Sequence, residues 1–81
     1  MRMQYSLIQE QGVRFAIVVV QEHVIQNQME ARRTISEFEN YFGVPVIILG
    51  GQSHQTIGRQ DIVRFLSNIN ISQIQWQYAD V

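Results

Sequence analysis

The chain has 81 residues, a formal net charge of −1 and no cysteine. A chain of this size is one domain, residues 1–81, that can remove only about two-thirds of its unfolded surface from water, so oligomerisation is the obvious added support. The missing cysteine excludes disulfides, thiolate metal sites and cysteine nucleophiles together.

All six basic residues are arginine, and the largest basic cluster is the Arg32-Arg33 pair. A nucleic-acid binder normally carries a basic stripe, so nucleic acid is not expected as a partner. Twelve glutamines are dispersed along the chain and form no tract. The N-terminal Met1-Arg2-Met3-Gln4-Tyr5 lacks a signal-peptide core, and the longest apolar run, Phe15 to Val20, is far short of a membrane span. The expectation is a cytoplasmic protein with no membrane partner.

In chain order, Tyr5 to Ile8 begins the first strand and Gly12 supplies its turn. Phe15 to Val20 forms the second strand, paired antiparallel with the first. Phe15, Ile17 and Val19 fall on one face and Ala16, Val18 and Val20 on the other, the pattern of an interior strand covered on both sides. Asn27 is a helix N-cap with Glu30 in capping-box position, and Ala31, Ile35, Phe38 and Phe42 make one apolar stripe. Gly43 suits the left-handed position past the helix and Pro45 stops it.

Val44 to Leu49 is a third strand, again apolar at both parities. A second helix is expected from about Arg59 to Ser67, with Ile62, Phe65, Leu66 and Ile69 inward and Asn68 or Asn70 ending it. Ser72 to Tyr78 alternates Ile74, Trp76 and Tyr78 with Gln73, Gln75 and Gln77, which reads as an edge strand.

The expected fold class is therefore α/β. It is a small two-layer sandwich of ββαβαβ order, an N-terminal antiparallel hairpin continuing into parallel strands, with sheet order 1-2-3-4. Right-handed crossovers then put both helices on one face and leave the other apolar face of strands two and three bare. A homodimer packing sheet against sheet through that uncovered apolar face is the preferred cover. The alternative sends the last strand beyond the first, with one helix on each face.

Candidate chemistry gathers after the third strand, in Gly50-Gly51-Gln52-Ser53-His54-Gln55-Thr56-Ile57-Gly58-Arg59. Glycines let backbone N–H groups approach an anion, a helix N-terminus follows, and Arg59 could clamp an oxygen bidentately. The loop has no Gly-Lys-Ser/Thr ending and is not a dinucleotide fingerprint. The simpler account is that Gly50-Gly51 turn the chain, Thr56 or Gly58 caps the helix and Asp61 complements its dipole. With sheet order 1-2-3-4, residues 22–26 and 50–58 share one rim of the sheet. Glu22, His23, Ser53, His54, Arg59 and Asp61 could then converge there, with Gly50, Gly51 and Thr56 completing a ligand-binding set. The two histidines lack metal-ligand spacing, so no metal is expected, nor any cofactor.

Val44-Pro45-Val46-Ile47-Ile48-Leu49-Gly50-Gly51, followed by Ile57-Gly58-Arg59-Gln60-Asp61-Ile62, resembles the later half of a glutaredoxin. The resemblance covers residues 44–66. It implies a cis peptide at Pro45 and peptide or glutathione contact by Val44 and Asp61. The chain has no cysteine for a redox centre, is too short for that family's first strand and helix, and ends in an extra strand, so no membership is drawn from it. The functional expectation is an oligomerising or interaction module without catalysis. The alternative is a protein that binds or hydrolyses a small anionic ligand, phosphate or carboxylate, with the loops after strands two and three.

Overall fold

A computed structural model describes residues 2–10, 12–66 and 73–80. β1 (Arg2–Glu10) and β2 (Val13–Val20) form the expected antiparallel hairpin, with Tyr5 opposite Val18 and Ile8 opposite Phe15. Gly12 turns it at φ 78°, a conformation glycine takes without steric cost. α1 (Glu22–Gln26) is a single short helix that pattern reading did not anticipate. α2 (Gln28–Phe42) begins where Asn27 Oδ1 accepts the Glu30 N–H at 3.1 Å. It ends at Gly43, left-handed at φ 72°, whose N–H donates to the Glu39 carbonyl at 2.8 Å. Both termini are those expected from the capping residues.

β3 (Val46–Gly50) runs parallel to β2, Ile47 beside Ile17 and Ile48 beside Val18. The two-residue β4 (Thr56–Ile57) folds back on it antiparallel, then α3 (Gln60–Leu66) and β5 (Gln77–Asp80) follow. Thr56 therefore lies in a strand and does not cap α3. The helix starts past Arg59, whose carbonyl accepts the N–H groups of Ile62 and Val63. The proposed inward positions Phe65 and Ile69 and the terminators Asn68 and Asn70 lie outside what is described of the side chains. No cis peptide occurs among the described residues, so the one implied at Pro45 is not found.

The sheet order is β4-β3-β2-β1-β5, not 1-2-3-4, and the simple ββαβαβ reading is corrected with it. β5 lies antiparallel beside β1, with Ala79 opposite Met3 and Gln77 opposite Tyr5. The physical reason is burial. The step from β2 to β3 and the step from β3 back to β5 run in opposite directions, so right-handed crossovers carry their helices to opposite faces. One cluster joins Met3, Ala16, Val18, Val46 and Ile48 to Val24, Ile25 and Ala31 of α1 and α2. The other joins Phe15, Ile17, Ile47 and Leu49 to Ile62 and Leu66 of α3. Helices thus cover both faces of β2 and β3, and the sheet face that a homodimer was expected to cover is covered from within the chain.

The last strand is also displaced. Ile74 and Trp76 pack against the α3-side cluster ahead of the ladder. The strand itself begins at Gln77, Ala79 packs toward α1 and α2, and Tyr78 is 55% exposed. No helix among the described residues is long and apolar enough to cross a membrane.

Candidate functional site

The reversal of direction between the two crossovers makes the carboxyl ends of β2 and β3 a topological switch point. The chain leaves β2 toward one face and β3 toward the other, opening a crevice where ligands bind in open α/β sheets. Residues 22 and 50–55 meet there. Gly51 N–H donates to the Val20 carbonyl at 3.1 Å, tying the two strand ends together. Gly50 N–H donates to the Gln55 carbonyl at 2.9 Å and His54 N–H to the Gly50 carbonyl at 3.0 Å, which closes the loop as a hairpin between β3 and β4. The left-handed turn residue is His54, at φ 59°, although the loop carries glycines.

Glu22 organises this rim. Its Oε1 accepts the N–H groups of both Gln52 and Ser53, each at 2.8 Å. The Ser53 N–H bond, then that from Gln52, holds the Glu22 carboxyl below its ordinary value, and His54 adds a smaller favourable charge interaction. Ser53 Oγ in turn accepts the Gln55 N–H at 3.2 Å. Gly50 is required by this arrangement: a Cβ there would stand 2.6 Å from Glu22 Oε1 and 2.9 Å from Ser53 Oγ. The backbone donors expected to cradle an external anion are thus bonded to the protein's own carboxylate.

The structure brings together Glu22, Gly50, Gly51, Ser53 and His54. His23 turns away, with Nε2 3.6 Å from Glu30 Oε1 on α2. Arg59 and Asp61 pair with each other at 2.9 Å, both largely exposed. Thr56 is in β4. An open concavity of about 500 Å³ lies over the rim, lined by Gln4, Val19, Val20, Gln21, Glu22, Gly51 and Gln52. Sequence reasoning missed the three glutamines, because amides near a strand end carry no spacing signal. No cluster of three or more His, Cys, Asp or Glu able to hold a metal occurs among the described residues.

No protein-family model, curated protein or solved structure matches this chain.

Proposed function

We propose that the chain is a small interaction module without catalysis, with a switch-point rim that serves as a joint of the fold. One observation carries this reading: Glu22 Oε1 takes the Gln52 and Ser53 N–H groups that an anionic substrate would need. The cationic side chain nearest in sequence, Arg59, is committed to Asp61.

The interaction we propose is self-association as a homodimer in the cytoplasm, at a surface other than the helix-covered sheet face. Leu7, 53% exposed, lines a concavity of about 350 Å³ with Phe42 and Val44, and exposed Tyr41 packs edge-on against Phe42 at 4.9 Å. Exposed aromatic and aliphatic residues at one end of a small domain suit a protein contact. Light scattering at micromolar concentration tests it: a dimer that Leu7→Glu converts to monomer is expected, and a strict monomer for the parent chain overturns it.

A second reading, a small-ligand binding protein, is favoured by the concavity at the switch point. Thermal melting with inorganic phosphate, ATP and citrate separates the two, since a ligand bound only by the native state raises the melting temperature. The module reading expects no rise. A rise abolished by replacing both Arg59 and His54 with alanine supports the anion reading instead.

A further inference from the structure

α2 packs over β2 and β3 and reaches β1, where Phe42 stacks on Tyr5 with ring centroids 5.1 Å apart. Its two flanks are fixed by contacts. On one side Glu39 Oε2 accepts the Val46 N–H at 3.3 Å, so that flank faces β3. On the other, Glu30, Thr34 and Glu37, spaced i, i+4 and i+7 along one helix stripe, line a cavity of about 390 Å³ that reaches Met3 on β1. The floor is apolar: Met3, Val18, Val20, Val24 and Phe38. His23 also lines it, its Nε2 3.6 Å from Glu30 Oε1.

We propose that this cavity binds a small primary amine with an aliphatic or aromatic body. Its volume lies in the range of small-molecule sites, which are mostly apolar with a few convergent polar groups. The polar groups here are two carboxylates and the Thr34 hydroxyl of α2, with Gln21 and His23 beside them, and neither arginine nor lysine lines the cavity. A cationic head meeting Glu30 and Glu37, with its hydrocarbon body on Val18, Val20 and Phe38, satisfies wall and floor together. An anion would meet two negative charges. An apolar ligand would add no charge partner to either carboxylate, Glu30 keeping only His23 at 3.6 Å. The ammonium cannot be a lysine side chain of a second copy, because the chain contains no lysine. The site shares Val19, Val20 and Gln21 with the concavity at the Glu22 rim but neither of its carboxylates, so substitutions at Glu30 and Glu37 test it separately.

The test compares three probes of one shape, hexylamine, hexanol and hexanoate, titrated at pH 8 into the full chain and followed by amide chemical shifts. Saturable hexylamine shifts at residues 18–24 and 30–38 are expected, with affinity at least about fivefold above hexanol and no saturation by hexanoate. Glu30→Gln and Glu37→Gln should each weaken hexylamine about threefold to fivefold, the scale of a partly solvated ion pair, with hexanol unchanged. Equal affinity for amine and alcohol overturns the proposal, as do hexylamine shifts mapping to other residues, no saturation, or affinity untouched by both substitutions. Should either variant fail to fold, the probe comparison on the parent chain decides alone.

Discussion

Strands β2 and β3 are roofed by helices on both faces, whereas β1 and β5 are partly open, at Leu7 on the α1 and α2 side and at Tyr78 on the α3 side. Phe15, Ile17, Val46, Ile47 and Ile48 are almost completely buried, while Leu7 of β1 and Tyr78 of β5 are each more than half exposed. The difference follows from side-chain parity. A strand apolar at both parities must find two covers, and the chain supplies them by reversing its winding direction after β3. A strand that mixes Gln4 and Gln9 with its apolar residues can lie beside that core with less cover. The Leu7 surface lies in the open half, while the amine cavity sits between β2 and α2 and touches β1 only at Met3.

Several substitutions break or sharpen this contrast. The largest effects belong to the doubly covered half. Ile47→Ala, on the α3 side, and Ile48→Ala, on the α1 and α2 side, should each cost about 2–5 kcal/mol in urea unfolding, because each leaves a cavity in a packed cluster. Equal losses would show that both faces are sealed equally well; a small loss at Ile47 would mean that α3 covers its face loosely.

Next comes Gly58, which packs against the edge of β3. A Cβ there would strike Ile47 Cδ1 and stand 3.2 Å from the Val46 carbonyl and 3.3 Å from Ile47 Cα. Because Ile47 is fully buried, it has little room to yield. Gly58→Ala should cost about 1–3 kcal/mol by overpacking, read as a lower denaturation midpoint with unchanged slope.

Asn27→Ala removes the acceptor for the Glu30 N–H and should cost about 1 kcal/mol. Leu7→Ala, in the open half, should cost less than about 1 kcal/mol under conditions where the chain is monomeric, since a half-exposed side chain gains little from burial. A loss equal to that of Ile48→Ala would erase the contrast.

A further test uses pH. The folded Glu22 carboxyl titrates below its unfolded value, so its ionised form stabilises the fold above the ordinary carboxylate range. That contribution is lost as pH falls through the depressed folded value. Melting temperature of the parent chain should therefore drop on acidification more steeply than that of Glu22→Gln; parallel curves would show that the joint contributes nothing.

Much of the β2–β3 half was legible because its signals are local. Asn27 and Gly43 mark both ends of α2, and two-sided apolar runs mark β2 and β3. Sheet order was not legible. The same pattern fits a last strand on either side, and only the need to cover both faces chooses between them. The alternation of Ile74, Trp76 and Tyr78 with glutamines marked an edge strand correctly but placed its start too early, since Ile74 lies in a bend and the ladder begins at Gln77. β4, at two residues, is too short to have a period. At the rim, Glu22 and Ser53 were named, but Glu22 bonds to backbone N–H groups, which every residue carries and no spacing reveals. His23, Arg59 and Asp61 failed to join them because each meets a nearer partner in sequence.

The sealed outer side of β3 bears on how this protein avoids polymerising. Val46-Ile47-Ile48-Leu49 is uncharged, strongly β-forming and free of proline, the profile of a segment that seeds cross-β fibrils when its edge is bare. Here Glu39 occupies the Val46 N–H, β4 pairs with Ile48 and Leu49, and Gln55 takes the Gly50 N–H. The strand offers no free template along that side, and Glu39 acts as a gatekeeper supplied from a neighbouring helix. A Glu39→Ala chain would keep its core and lose its guard, so its lag time before thioflavin-positive fibrils should shorten.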